Sequence, residues 1–194
     1  MKIDTIFVHN SGGIGQDANA KSSHLSLKHI DNAHKGRWPG FKSDLGYWVG
    51  YHMVIMPNGG IYQTRRLGTE GAHTKGHNIT SIGICLMGNF NVEEPTEAQV
   101  KSLQDVLFNL TTGKISQYAH VGNTEYDFSP YRVYPHRHVS NTDCYGTKLS
   151  DTWIKDIQIE RISYVLSLLY KLLDLLKRKN LGGDDGRECN GFIN

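Results

Sequence analysis

The sequence is short of the features that mark several protein classes, and each shortage excludes something. Three cysteines in 194 residues, Cys85, Cys144 and Cys189, are too few and odd in number to read as a disulfide framework. No stretch supplies the ~20 predominantly apolar residues of a membrane span, because the richest, Ile162 to Leu176, is interrupted by Lys171 and Asp174. The amino terminus lacks the basic region and apolar core of a secretion signal: after Lys2 and Asp4 a short apolar run is broken at once by His9-Asn10-Ser11. Neither sign of charge dominates, with 21 Lys and Arg against 19 Asp and Glu and a formal net charge of +2. That balance argues against a dedicated nucleic-acid binder, whose basic face would dominate the count. No internal repeat is visible. The expectation is a soluble protein made in the cytoplasm, without a transmembrane segment, whose export needs help from elsewhere.

What is present is globular, with 38% apolar and 21% charged residues in a length that suits one domain plus an appendage. Ile3, Ile6, Phe7 and Val8, followed by Ser11-Gly12-Gly13, predict a buried strand over residues 3–9 that delivers His9 at its end. Leu25, Leu27, Ile30 and Ala33 predict a first helix over residues 19–35, ending near Gly36. Residues 46–55 and 61–63 flank Pro57-Asn58-Gly59-Gly60 and read as a hairpin whose Asn-Gly pair supplies positive φ. The apolar run 81–88 reads as a central strand. Pro95-Thr96-Glu97-Ala98-Gln99 opens a helix over 96–111, with Val100, Leu103, Val106, Leu107 and Leu110 on one face. Residues 116–135 are aromatic and turn-rich without a period and read as a long loop. A long helix is expected from Asp151 to Lys179, then a mobile tail through Gly182-Gly183-Asp184-Asp185-Gly186.

Histidine stands out instead, with ten copies. His136 and Cys144 flank a short polar loop, and His9 lies at the end of the first expected strand. A catalytic zinc site takes three protein ligands from His, Cys or carboxylate and leaves a fourth position for water, which these three residues can satisfy. Taken singly, each has an ordinary explanation, as a hydrogen-bonded strand-end histidine or a buried cysteine. His73, His77, His120 and His138 compete for the same role.

The surrounding residues add a pattern. Phe7-Val8-His9-Asn10-Ser11, Val49-Gly50-Tyr51-His52-Met53-Val54-Ile55, Gly71-Ala72-His73-Thr74-Lys75-Gly76-His77-Asn78, Ser81-Ile82-Gly83-Ile84, Gly88-Asn89-Phe90, Pro95-Thr96-Glu97-Ala98-Gln99 and His136 through Cys144 follow one another in that order. Together, over roughly residues 3 to 150, they resemble the type 2 zinc-dependent N-acetylmuramoyl-L-alanine amidases, the superfamily of phage amidase endolysins and peptidoglycan recognition proteins. Each motif is weak alone, and the ordered set is specific.

The resemblance implies Zn2+ held by His9, His136 and Cys144, with Tyr51 beside the metal and Thr142 at the position where the family carries Lys or Thr. It implies hydrolysis of the amide between N-acetylmuramic acid and L-alanine in peptidoglycan, as a phage or prophage endolysin. The alternative is a module that binds muropeptides without cutting them; replacement of the Cys ligand usually marks such members, and Cys144 is present. Tyr51 is expected to orient water or donate to the tetrahedral intermediate, and Thr142 to donate to the developing oxyanion. His73 and Lys75 are candidate contacts to the glycan or to peptide carboxylates, His52 a hydrogen-bonded neighbour, and Cys85 core. The family loop has Pro where this chain has Asn141 and Tyr145, which is expected to loosen or reshape it. The implied fold is α/β: a single domain over residues 1–150, with a central mixed sheet of about five or six strands flanked by helices and the metal in a groove at one end of the sheet. Residues 151–194 add an amphipathic helix and tail, which dock on the domain, mediate a dimer or lie on a membrane or wall surface.

Overall fold

Strand β1 (Lys2–Asn10) carries apolar residues on both faces, with Ile6 and Val8 on one side and Phe7 and His9 on the other, as burial from both sides requires. A computed structural model describes residues 2–14, 17, 19–114, 118 and 127–181. The remaining elements are α1 (Leu27–Arg37), β2 (Met53–Ile55), β3 (Ile61–Gln63), β4 (Ser81–Leu86), α2 (Glu97–Thr111), β5 (Asp127–Pro135), a 3-10 turn (His136–His138) and α3 (Trp153–Leu181). The five strands form one mixed sheet in the order β3-β2-β4-β1-β5, in which only the β2–β3 pair is antiparallel. The chain separates into two compact units, Met1–Gln158 and Ile159–Asn194.

Two apolar clusters cover the two faces of the sheet. On one face Ile6, Val8, Met53, Ile55, Ile82, Ile84 and Leu86 pack with Leu103, Val106, Leu107 and Leu110 of α2 and with Ile154 and Ile157 from the start of α3. On the other, Val54 and Cys85 pack with Ile30 of α1, Leu25, Val49 and Met87. Each fully buried Leu or Ile contributes about 1.5–3 kcal/mol, so α2 and α1 are held mainly by these faces. The opening of α2 is also clamped by a capping box: Thr96 Oγ1 accepts from the Gln99 amide, and Gln99 Oε1 accepts from the Thr96 amide, both at 3.1 Å. Gln99 Nε2 then donates to the carbonyls of Ile55 and Met87, tying the helix to the ends of β2 and β4.

Four expectations change. The first helix begins at Leu27, eight residues later than its apolar spacing suggests, and runs through Gly36. The residues before it cannot join it, because the Ser22 and Ser23 amides are taken by the Glu93 carboxylate at 2.9 and 3.0 Å. Residues 46–52 are not strand. The amides of Trp48 and Val49 donate to Asp31 and that of Gly50 to His34 Nδ1, so side chains of α1 consume the bonds a ladder would need. Residues 127–135, read as loop, form β5, parallel to β1. The register slips between Ile3 and Thr5, where Pro130 interrupts the partner strand, and this bulge erases the alternation that a sequence reading relies on. In the hairpin, only Gly59 of the Asn-Gly pair has positive φ (83°). The tail from Gly182 and Cys189 lie outside the described residues. Among the described residues, no helix is long and apolar enough to cross a membrane.

Glu93 gathers the segment before α1 onto the loop after β4, accepting also from the Asn89 amide and the Ser23 hydroxyl. Burial pushes its pKa up, but the hydrogen bonds from Ser23, Asn89 and Ser22 outweigh that and leave the carboxyl below the usual glutamate range. A depressed folded pKa stabilises the fold above the unfolded value, and that stability is lost as pH falls through the folded one. Glu93→Gln is therefore expected to cost about 1–3 kcal/mol near neutral pH, a gap that closes in acid. Urea unfolding of both proteins at neutral and acidic pH measures it, and equal midpoints at neutral pH would contradict it.

Candidate metal centre

His9 is the last residue but one of β1, which runs between β4 and β5, and is 1% exposed. In the β1–β5 register Val8 pairs with Pro135, so the residues that follow them, His9 in β1 and His136 at the start of the 3-10 turn, stand side by side with ring centroids 4.5 Å apart. Cys144 returns across the loop and sets its Sγ 3.6 Å from His9 Nδ1. The donor atoms of His9, His136 and Cys144 all lie within 4.8 Å of one another. Two imidazoles and one thiol are the ligand chemistry that zinc takes in a site with an open fourth position, so the residues fit the metal the sequence pattern implies.

The protonation states fit as well. Burial, reinforced by His136 and His34, holds the His9 pKa well below the usual imidazole range, and burial lowers that of His136. Both rings are neutral near pH 7 and can offer lone pairs. Burial pushes the Cys144 thiol up to about 11 against smaller opposing pulls from Asn10 and Arg137, so a cation must displace its proton.

With Nδ1 facing the cluster, the His9 proton belongs on Nε2, which points at His73 Nδ1 (3.3 Å) and Thr74 Oγ1 (3.4 Å). A partner on the second nitrogen of this kind fixes the tautomer and ring angle of a metal-ligating histidine. His73 occupies this place because two glycines leave room for it. A Cβ on Gly83 of β4 would lie 2.5 Å from the His73 ring, and one on Gly71 would lie 2.4 Å from it. Asn78 Oδ1 accepts from the amides of His73 and Thr74, which holds the loop in place. His52 lies behind: its Nδ1 accepts from the Gly83 amide and its Nε2 donates to Thr69. It is a hydrogen-bonded neighbour, as expected, and it lies in a bend just before β2.

Tyr51 packs 5.0 Å from His9 by ring centroid, and its hydroxyl meets the Cys85 thiol. Burial first, then Cys85 and Cys144, push its pKa well up, so it is a neutral phenol. Thr142 Oγ1 accepts from the Cys144 amide at 3.2 Å. Tyr51, Thr142, His73 and the exposed Lys75 all border one cleft of about 720 Å³ with the three donor residues on its wall. The cleft also has His34, Arg37 and Trp38 from the end of α1, which sequence reasoning missed; Arg37 lies over the Trp38 ring at 4.6 Å. No residue pattern singled them out, because the cleft joins segments remote in sequence.

Nor did the sequence disclose what braces the ligand loop. Arg137 donates to the carbonyls of Gly146 and Leu149 and pairs with Asp151 at 2.7 Å, and its amide donates to the Cys144 carbonyl. Tyr145, one of the departures from the family pattern, is fully buried, with Arg137 stacked over its ring and its hydroxyl donating to Ser150. Of the two expected effects, loosening or reshaping, loosening is not what Tyr145 brings: the buried ring pins the loop into the core.

The N-acetylmuramoyl-L-alanine amidase family model (Amidase_2) matches residues 1–147. Among curated proteins, peptidoglycan-recognition protein SC2 of Drosophila melanogaster is 32% identical over 102 residues, 52% of this chain and 49% of its own. The N-acetylmuramoyl-L-alanine amidase of Homo sapiens is 32% identical over 108 residues, 54% of this chain and 17% of its own. The chain thus spans about half the length of the first of these relatives and a smaller share of the second. Among solved structures, the amidase LysC from Clostridium intestinale has a TM-score of 0.57 at 24% identity, over 81% of this chain and 83% of its own. The endolysin of Thermus scotoductus bacteriophage Ph2119 has 0.54 at 16%, over 81% and 84%. At these identities the structural likeness is one of fold.

Two substitutions test the geometry of the centre. Gly83→Ala forces the His73 ring off the sheet and is expected to weaken zinc affinity by about 10–100-fold, the usual cost of losing an outer-shell partner. Competition with a chromogenic chelator reads it, and unchanged affinity would mean that His73 does not orient His9. Tyr145→Ala empties a core position and is expected to cost about 3–5 kcal/mol in chemical unfolding, whereas loss of under 1 kcal/mol would deny its anchoring role.

Proposed function

The chain belongs to the N-acetylmuramoyl-L-alanine amidase family, and from that premise we propose that it is an active zinc enzyme. Its substrate in this reading is the amide between the lactyl group of N-acetylmuramic acid and the L-alanine of the stem peptide in bacterial peptidoglycan. The observation that carries the reading is the convergence of His9, His136 and Cys144 on the cleft, a donor set that keeps its sulfur ligand. Bound there, zinc lowers the pKa of a water to about 7 and polarises a carbonyl oxygen.

The chain's own residues supply the rest. Tyr51, held neutral, acts as a hydrogen-bond donor and not as a base. Thr142 already accepts from the Cys144 amide, so its own proton is free to donate toward an oxyanion in the cleft, a contact worth about 2.7–4 kcal/mol where measured in another hydrolase. His73 acts through His9, keeping its lone pair on the side of the cluster. Lys75 and Arg37, cations on the cleft wall, suit the carboxylates of a stem peptide. In this reading the role is lytic, with synthesis in the cytoplasm and action on the wall after release; an endolysin is among the proteins that share the fold.

Incubation of the purified protein with sacculi is expected to release new L-alanine amino termini, and a chelator to abolish them. New reducing ends in their place would indicate a glycosidase, and tight binding with no new ends would make the protein a recognition module. Thr142→Val is expected to lower kcat by about 10²-fold with zinc still bound. If both that variant and Tyr51→Phe kept full turnover, the proposed roles would be wrong.

A further inference from the structure

We propose that α3 beyond Gln158 is an assembly helix, which buries its apolar face against further copies of this chain in a bundle of three or more. The proposal is independent of the reading of the cleft. Its first support is the pattern. With Ile162 as position a of a heptad, the a and d positions hold Ile162, Val165, Leu169, Leu172 and Leu176. The e and g positions between them hold Leu166, Leu168, Leu173 and Leu175. Positions b, c and f hold only Ser163, Tyr164, Ser167, Tyr170, Lys171 and Asp174. No residue departs from the division across this stretch.

The second support is the exposed surface. Apart from the half-buried Val165, those nine aliphatic side chains are between 45% and 60% exposed, in a helix that is unbroken over the whole stretch. Their open surface is on the order of 800 Å², about what each partner contributes to a stable interface of standard size. It exceeds the few hundred Å² of contiguous apolar patch typical of a monomer.

The width of the face selects the stoichiometry. A two-stranded coiled coil buries a and d and leaves e and g to charged residues at its margins. Here e and g are both leucine, so a single partner would leave one flank of each helix in water. Two neighbours per helix cover both flanks, which a closed bundle of three or more provides. A membrane suits the helix less well. It is not long and apolar enough to cross one, and residues 160–177 set Glu160 and Asp174 against Arg161, Lys171 and Lys177, an excess of one positive charge and too little for the basic face that holds a helix on anionic lipid.

The test uses the full chain. Sedimentation velocity at micromolar concentration is expected to give a trimer or larger species. Leu169→Glu combined with Leu172→Glu is expected to give a monomer, with unfolding of the remainder unchanged to show that the first unit is intact. Leu166→Gln combined with Leu173→Gln, which removes only a flank, is expected to lower the assembly to a dimer. Tyr164→Glu, on the polar side, is expected to leave it unchanged. A monomeric parent chain would overturn the proposal, whether the face then docks on its own domain or, by flotation, on phosphatidylglycerol vesicles. A parent dimer would overturn the stoichiometry, and assembly that survives Leu169→Glu with Leu172→Glu would place the interface elsewhere.

Discussion

His9 has both ring nitrogens engaged inside the sheet, and the rest of the site depends on that constraint. Its Nδ1 faces the Cys144 sulfur and its Nε2 faces His73 and Thr74. A buried imidazole with an orphaned nitrogen costs about 1–3 kcal/mol, so the ring cannot be placed by β1 alone. It needs a neighbour on each side, and the sheet order supplies them. β5 carries His136 on one flank, and Gly83 in β4 opens the space for His73 on the other. Burial also keeps the ring neutral, which a metal ligand requires.

The Gly-Ala-His and Ser-Ile-Gly-Ile segments acquire a physical meaning from this arrangement. Neither Gly71 nor Gly83 lines the cleft as a binding residue. Both are places where any side chain would collide with the His73 ring. Their function is space, and His52 reinforces it by gripping both backbone groups of Gly83. The opposite wall is built differently. The His136–Cys144 loop has little regular structure and is held by one guanidinium, Arg137, and one buried ring, Tyr145. A rigid sheet thus holds one donor residue, and a braced loop brings the other two to it.

Elements with local signals were legible. The apolar run of β1, the apolar spacing of α2 with its Thr96 and Gln99 box, and the run that becomes β4 all appear where their residues place them, because period and capping are short-range properties. β5 was not legible, since the slip near Pro130 hides its alternation and its partner lies over a hundred residues earlier. The start of α1 was misplaced because the bonds that end it come from Glu93, far along the chain. Arg37 and Trp38 gave no signal for the same reason: a cleft wall is defined by what stands across from it.

The sequence by itself determined which residues can chemically serve a metal, the order in which they occur, and the amphipathic division of the last helix, since each is a property of side-chain type and spacing. Only the tertiary structure decided that His9, His136 and Cys144 meet, that His73 stands behind His9, and that Tyr145 anchors the ligand loop. These outcomes rest on strand register and on packing between distant segments. A one-residue change in the pairing of β1 with β5 would turn His136 away from His9 without altering a single residue type.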